Sequence, residues 1–171
     1  MAPKELIYTT VGDAVLAHRN LPPGGRHLMV AVDLSEHSFE AVSFAFDSIA
    51  REGDVVSVVQ AIPPIEGQFG RIETPGEKRQ DAMVSLHEKV RGIRNGLGRK
   101  NIPFRTDVEY GDARKVVLEL VEASQATILI VGSRGRTSLK GALLGSVSQY
   151  LLTNAPIPVI VVRHPKGQTP K

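Results

Sequence analysis

The chain of 171 residues contains no cysteine and no tryptophan, and only 5% of its residues are aromatic. Without cysteine there is no disulfide framework, thiolate metal site or cysteine nucleophile. The few aromatic residues offer no stacking platform for single-stranded nucleic acid. No apolar run approaches the roughly 18 residues of a membrane span, and the first ten residues lack the apolar core of a secretory signal. We therefore expect a cytoplasmic protein that binds neither membrane nor nucleic acid.

The charge and the polar residues exclude further classes of protein. Twenty-one basic and 18 acidic side chains give a net charge of +3. This charge is small and is not concentrated in one part of the sequence, as the positive charge of a nucleic-acid-binding protein usually is. The five histidines show no ligand spacing, so no transition-metal site is indicated. Ser38 and Ser43 have no His and Asp in a matching order, so no hydrolase triad is predicted. With 42% hydrophobic residues, the chain has the composition of one globular domain.

One stretch organises the rest of the chain: residues 127–148, TILIVGSRGRTSLKGALLGSVS. It opens with a buried strand, Thr127 to Val131, and continues through a glycine turn and a basic loop to Gly145-Ser146 at the start of a helix. Glycines let a backbone approach a ligand and adopt positive φ. A helix N-terminus with Ser146 as its N-cap offers N–H groups to an anion. The stretch therefore predicts a phosphate site, and the alternative is a glycine-rich connection that binds nothing.

The rest of the chain alternates strands with helices. Apolar runs predict strands at 27–32, 55–62, 127–131 and 157–162, and residues 102–109 predict a more polar strand nearer an edge of the sheet. Helical periodicity lies between them, and Ser35 has the chemistry of an N-cap for the first helix. Residues 1–26 form an N-terminal extension set off by Pro22 to Gly25, residues 63–76 form a long loop, and residues 164–171 form a disordered tail.

This alternation predicts an α/β fold with a doubly wound five-stranded parallel sheet, helices on both faces and strand order 3-2-1-4-5. Ligands of such Rossmann-like sheets bind at the carboxyl ends of strands where the winding reverses. In this order Asp33, after the first strand, and Gly132, after the fourth, are neighbours there. Taken alone, Asp33 is either a structural carboxylate that caps the next helix or a ligand of a ribose hydroxyl. Arg134, Arg136 and Lys140 are either phosphate neighbours or solvated charges.

The glycine spacing G-x2-G-x9-G-[ST], filled by Gly132, Gly135, Gly145 and Ser146, is similar to the ATP-binding signature of the universal stress protein family. The resemblance covers residues 27–163, from AVDLSEHSFEAV through YGDARKVVLELVEAS to PIPVIVVR. It implies an adenine nucleotide hydrolase-like fold with ATP in the crevice, and Mg²⁺ arriving with the nucleotide.

The resemblance also implies roles for individual residues. It places Asp33 by the ribose, the region of Ala61 by the adenine, and Gly132, Ser133 and Gly135 around the phosphates, and the site is completed by Gly145, Ser146 and Val147. Among the three basic residues of the loop, we favour Arg134 and Lys140 as the phosphate neighbours. Ala31 stands where some members have proline, and Ala61 stands where a larger aliphatic residue is common. The implied cofactor-binding residues are Ala31, Asp33, Ala61, Val131, Gly132, Ser133, Arg134, Gly135, Lys140, Gly145, Ser146 and Val147.

Three functions compete at this point. The first is an ATP-binding regulatory module of the stress response, and the second is a slow ATP hydrolase. For the hydrolase, no general base or metal-binding residue beside the γ-phosphate is evident, because Asp33 is expected at the other end of the nucleotide. The third is a nucleotide-free homodimeric scaffold. The last strand, 157–162, is apolar on both faces at a sheet edge, which predicts a homodimer.

Overall fold

The computed structural model describes residues 6–7, 21–63, 75–135 and 144–163. The predicted basic residues Arg136 and Lys140, most of the loop 63–76 and the tail 164–171 lie outside these ranges. The described strands and helices, in chain order, are β1 (Leu6–Ile7), β2 (His27–Val32), α1 (Glu36–Phe44), which continues directly into a π-helical turn (Ala45–Ile49), β3 (Val55–Ile62), α2 (Pro75–Gly96), β4 (Phe104–Tyr110), α3 (Ala113–Ala123), β5 (Ile128–Gly132), α4 (Ser146–Asn154) and β6 (Val159–Val162).

The strands form one parallel sheet in the order β1-β4-β3-β2-β5-β6. Without β1 this is the predicted order 3-2-1-4-5, so the fold class is confirmed. The sixth strand, β1, was not predicted, because two apolar residues in a mixed segment are too short to give a period. The winding reverses between β2 and β5, which brings the ends of those strands together at the carboxyl edge.

Successive side chains of each strand point to opposite faces of the sheet, and each face is covered by an apolar layer. One layer holds Leu28 and Val30 of β2 against α1 and α2, and the other holds Met29 of the same strand against α3 and α4. Because both faces are covered, the central strands β2, β3 and β5 are mostly apolar, and the polar side chains of β2 and β3, His27, Ser57 and Gln60, are themselves buried. None of the described helices is long and apolar enough to cross a lipid bilayer.

The turn between β2 and α1 is built from local hydrogen bonds. The Ser35 hydroxyl accepts a bond from the Ser38 amide at 3.3 Å, so Ser35 is the N-cap, as predicted. Asp33 Oδ1 accepts from the amide and the hydroxyl of Ser35 at 3.1 and 2.6 Å. Between them Leu34 has a φ of 66°, a conformation that costs a residue with a Cβ roughly 1 kcal/mol. Asp33 thus stabilises the turn before α1, but the capping of that helix, which was one of the two roles predicted for Asp33, is done by Ser35.

The amino ends of the central strands are joined by a buried polar cluster. His27 Nδ1 lies 3.0 Å from the Ser124 carbonyl oxygen, and its Nε2 lies 2.8 Å from Arg105 Nη2 and 2.5 Å from Ser57 Oγ. A carbonyl only accepts and a guanidinium only donates, so His27 is the neutral tautomer with its proton on Nδ1. Arg105 Nε also donates to Ser57 Oγ. All four residues are at most 3% exposed, so the cluster fastens β2, β3, β4 and the end of α3 together.

A second polar cluster lies at the other end of β4. Arg79 of α2 reaches round the strand, donating from Nε to the Val108 carbonyl at 2.5 Å and from Nη2 to Glu109 Oε1 at 2.6 Å. Its Nη2 lies 3.8 Å from Asp107 Oδ1. The Asp107 side chain is 5% exposed, and its burial, reinforced by Glu109, raises its pKa to about 6 in spite of Arg79 and Arg105. Burial likewise raises the pKa of Glu109.

Candidate functional site

A cavity of about 340 Å³ opens at the carboxyl edge of the sheet, where β2 and β5 end. This volume lies at the lower end of the range typical of small-molecule sites. The described residues that line it are Ala31, Val32, Asp33, Ser38, Ala61, Ala113, Val117, Val131, Gly132, Arg134, Gly135, Leu144, Gly145, Ser146, Val147, Ser148 and Leu151.

Ten of the twelve predicted residues line this one cavity. Ser133 does not: its side chain is buried, its amide donates to the Val162 carbonyl at 2.7 Å, and its carbonyl accepts from the Gly145 amide at 2.8 Å. It therefore joins the loop to β6 and to the start of α4. Lys140 lies outside the described residues.

The lining changes character from one end of the cavity to the other. Small and apolar side chains from β2, β3, β5 and the inner faces of α3 and α4 make one part, among them Ala31, Ala61 and Val117. Strand ends and the loop before α4 supply the polar part. Asp33 and Arg134 are the one carboxylate and the one cation among the described lining residues. Such a lining suits a ligand with an apolar ring at one end and polar or anionic groups at the other.

Gly132 is needed for packing between elements. A Cβ at this position would lie 2.8 Å from the carbonyl oxygen of His37 and 3.3 Å from the Ser38 nitrogen, both in the backbone of α1. Ser148 Oγ of α4 donates to the Gly132 carbonyl at 2.7 Å. Gly132 therefore sets how closely β5 approaches α1 and α4, whatever the cavity binds.

The other two glycines of the signature differ from Gly132 and from each other. A Cβ at Gly135 would lie 2.3 Å from Asp33 Oδ2, so this glycine makes room for a carboxylate. A Cβ at Gly145 would make only ordinary contacts, the nearest at 3.7 Å. None of the three has a positive φ, so the expectation that they supply left-handed backbone is wrong. What they share is that all three line the cavity, and at Gly132 and Gly135 there is no room for a Cβ.

The start of α4 also differs in detail from the prediction. Gly145, with φ −71° and ψ 154°, is the N-cap, and it makes no side-chain capping bond. Ser146 is the first helical residue, so its prediction as N-cap is wrong by one position. The side chain of Ser146 is exposed in the cavity lining. The amides of this first turn have no partner within the helix, which makes them donors for an anion.

The side of the cavity formed by α3 is shaped by a charged pair. Asp112 is the N-cap of α3 and accepts from the Arg114 backbone amide and from its Nε, both at 2.9 Å. These hydrogen bonds lower the pKa of Asp112 to about 2. The Arg114 guanidinium lies 5.7 Å from the ring centre of Tyr150 in α4, so the pair bridges the two helices that flank the cavity.

Seven lining residues were missed from the sequence: Val32, Ser38, Ala113, Val117, Leu144, Ser148 and Leu151. Ala113 and Val117 are one turn apart on α3, the helix that begins just after β4 at the same edge. A usable signal was the Gly111-Asp112 helix start, since it follows a strand at the carboxyl edge of the sheet, where ligands of such sheets bind. Ser38 and Ser148 gave no signal, because isolated serines in helices are common.

Replacing Gly132 with alanine is expected to lower the free energy of unfolding by about 2 kcal/mol, because its Cβ clashes with backbone that cannot rotate away. Gly145→Ala is the matched control and should cost about 0.5 kcal/mol, through the loss of a favoured N-cap residue. Chemical denaturation of both variants measures the difference. If both variants lose the same free energy of unfolding, α1 can move to make room for the Cβ, and its close approach does not require glycine at position 132.

Within the described residues, no three His, Asp or Glu side chains lie close enough together to hold a metal ion. Magnesium prefers oxygen ligands and keeps much of its coordination from phosphates and water. Asp33 is the single described carboxylate at the cavity. Any magnesium at this cavity would therefore be held mainly by the ligand that brings it.

The chain is similar to curated proteins from distant organisms. It is 31% identical to a universal stress protein of Methanocaldococcus jannaschii over 84% of this chain and 85% of that protein. It is 28% identical to an uncharacterised protein of Schizosaccharomyces pombe over 78% of this chain. The chain spans only 22% of the length of the yeast protein but most of the archaeal one.

Solved structures share the fold at lower identity. A universal stress protein family protein from Arabidopsis thaliana, with AMP bound, has a TM-score of 0.58 at 20% identity over 85% of this chain and 96% of that chain. A universal stress protein in complex with cAMP has a TM-score of 0.57 at 20% identity over 81% and 96%. The model of the universal stress protein family matches residues 25–163. The chain belongs to the universal stress protein family.

Proposed function

We propose that this chain is an ATP-binding regulatory module of the stress response, in which the bound nucleotide sets the shape or the partners of the protein. The observation that carries the proposal is the single cavity in which an apolar part and a polar part, built from separate strands and helices, converge at the switch point of the sheet. The relatives with AMP and with cAMP support a nucleotide as the ligand class.

In this proposal the adenine ring occupies the apolar part, against Ala31, Ala61 and Val117. The phosphates lie at the polar part, where the amides of the first turn of α4 donate to them and Arg134 adds a positive charge. Gly145 leaves the entry to that turn open because it has no side chain. ATP is proposed rather than AMP because the polar part offers two kinds of partner for anionic groups, the amides of the first turn of α4 and the Arg134 cation.

The test is calorimetric titration of the nucleotide-stripped chain with ATP·Mg, AMP and cAMP. Gly145→Val should weaken ATP binding at least about tenfold, or about 1.4 kcal/mol, because the branched side chain would project beside Arg134 and Gly135. Gly92→Val is the matched control: Gly92 lies in α2 with open space around its Cβ position. Absence of binding heat with all three nucleotides, or an unchanged ATP affinity in Gly145→Val, would contradict the proposal.

Slow hydrolysis of ATP is a second candidate, favoured by one observation. Asp33 was expected away from the phosphate loop, but its Oδ2 faces Gly135 at a distance that leaves no space for a Cβ. A carboxylate beside that loop is suited to orient a water molecule or to bind Mg²⁺. If hydrolysis is functional, Asp33→Asn abolishes phosphate release in a single-turnover assay and retains ATP binding. Phosphate release that persists in Asp33→Asn would remove this role.

We also propose that the chain forms a homodimer through β6. Within the described residues β6 pairs only with β5, and all four of its side chains are half-buried in the isolated chain. An apolar edge of this kind pairs with a copy of itself across a two-fold axis. Light scattering at tens of micromolar is expected to give the dimer mass, and a monomer mass would contradict the proposal.

A further inference from the structure

The last two residues of α2, Asn95 and Gly96, are the one Asn-Gly pair in the sequence. An asparagine followed by glycine is prone to lose its side-chain amide, because glycine has no Cβ to hinder the approach of its backbone nitrogen to the asparagine Cγ. Asn95 is exposed, so water reaches it. The pair therefore brings a nucleophile, an electrophilic carbon and water to one place.

The Asn95 side chain is bound by a buried cation. Arg94 is 4% exposed, and its guanidinium donates to Asn95 Oδ1 from Nε at 3.3 Å and from Nη2 at 3.2 Å. The guanidinium is itself fixed by the Phe104 ring, whose centre lies 4.7 Å away, and by the Ile102 carbonyl, 3.5 Å from Nη1. Negative charge develops on Asn95 Oδ1 when a nucleophile adds to Cγ. Paired donors fixed at such an oxygen stabilise that charge.

The end of α2 is also weakly held as a helix. A helical backbone holds the Gly96 nitrogen away from the Asn95 Cγ, so attack requires the last turn to open. Glycine is the least favourable helix residue after proline, and two glycines, Gly92 and Gly96, lie among the last five residues of α2. Gly98, with a φ of 71°, then ends the helical path. We therefore expect this turn to open more readily than the body of the helix.

We propose that Asn95 is a self-modification site, at which the chain converts its own asparagine into aspartate or isoaspartate. The Gly96 nitrogen loses its proton to water and forms a bond to Asn95 Cγ, while the bond from Cγ to the side-chain nitrogen breaks and ammonia leaves. One water molecule then opens the cyclic imide at either of its two carbonyl carbons. In sum, one amide and one water give one carboxylate and one ammonium ion, and nothing is oxidised or reduced.

Either product changes the end of α2. A carboxylate at residue 95 forms an ion pair with Arg94 where the neutral amide made hydrogen bonds. In isoaspartate the main chain also gains one CH2 group within a turn closed by two hydrogen bonds, from the Gly98 amide to the Asn95 carbonyl and from the Arg99 amide to the Arg94 carbonyl, both 3.0 Å. Arg99 Nη2 donates to the Asp47 carbonyl at 2.6 Å. The modification therefore loosens the contact between the end of α2 and the π-helical turn after α1.

The test is incubation of the full chain at about pH 8, with peptide mass spectrometry at intervals and assay of the released ammonium. Conversion of an amide to an acid adds about 1 Da. Asn154 is the matched internal reference, because it is also exposed and also ends a helix but is followed by Ala155. Asn95 should convert at least about tenfold faster than Asn154. Global unfolding would speed both asparagines, so the ratio of the two rates isolates the local site.

Three variants separate the nucleophile, the helix end and the cation. Gly96→Ala hinders the attacking nitrogen and should slow the conversion of Asn95 about tenfold. Gly92→Ala strengthens the same helix end, leaves the Asn-Gly pair intact and should slow the conversion less than about twofold. Both glycines have open space at the Cβ position, so both variants fold. Arg94→Lys keeps the charge but loses the paired donors, and it should lower the ratio of the Asn95 rate to the Asn154 rate at least about threefold.

Three results would overturn the proposal. One is a ratio near one in the unaltered chain, and another is equal slowing by Gly96→Ala and Gly92→Ala. The third is a ratio that stays the same or rises in Arg94→Lys, which would mean that the guanidinium does not promote the reaction. None of these measurements depends on a bound nucleotide or on the oligomeric state, so their outcome is separate from that of the proposed function.

Discussion

Replacing His27 with leucine is expected to lower the free energy of unfolding by about 3 kcal/mol. Leucine fills a similar volume but neither donates to the Ser124 carbonyl nor accepts from Arg105 and Ser57. The guanidinium of Arg105, 3% exposed, then loses one of its acceptors far from water. Urea denaturation at pH 7.5 measures the change.

A second substitution shows whether the loss comes from the polar network or from packing. The double variant His27→Leu/Arg105→Met removes the charge together with its acceptor, and replacing a whole buried charged cluster with apolar groups is often neutral. It should recover at least half of the stability that His27→Leu loses. If the double variant instead loses as much free energy of unfolding as the two single variants together, the cluster stabilises the fold mainly through the packing of its side chains.

The second large effect is a pH dependence caused by Asp107. Burial raises its pKa from 3.8 to about 6, so between these values the folded chain holds a proton that the unfolded chain has released. The contribution of this group to stability is greatest below about pH 4 and falls as the pH rises through 6, by about 3 kcal/mol in total. Asp107→Asn has no charge to bury and should be more stable than the unaltered chain at pH 7.5.

The measurement is the free energy of unfolding of both proteins at pH 4, 5, 6 and 7.5. The difference between them isolates Asp107, since the other titrating groups are common to both. The difference should grow with pH and level off above about pH 6.5. Asp47→Asn, at an exposed carboxylate on the helical turn after α1, is the control and should leave the profile unchanged. A constant difference between Asp107→Asn and the unaltered chain would mean that Asp107 titrates at an ordinary pH.

Most of the fold could be predicted because the strands are buried on both faces. The apolar runs at residues 27–32 and 55–62 end at polar or proline residues, and β2 and β3 have those bounds in the structure. The bounds predicted for the third and the last of the five strands were less accurate. β4 starts at Phe104 instead of Ile102, and β6 starts at Val159 instead of Ile157, since Pro103 and Pro158 precede them and have no N–H group to pair.

The site could be predicted as a region but not as a set of contacts. Strand ends at a switch point are neighbours by topology, so Asp33 and the glycine loop were expected at one place. Which glycine serves packing and which serves a ligand depends on distances between distant segments, such as Gly132 to His37. The buried clusters around His27 and Arg79 gave no signal either, because their members are far apart in sequence and have no periodic pattern.

The pairing of β1 with β4 also affects how the chain is made. Leu6 and its partner Arg105 are about 100 residues apart, so at 5–20 residues per second β4 leaves the ribosome roughly 5 to 20 s after β1. By then β2 and β3, adjacent in sequence and in the sheet, have been available to pair. The first strand to be synthesised therefore cannot join the sheet until the fourth strand, β4, has been made. Until it does, neighbouring nascent chains on one message expose the same β4 edge to each other.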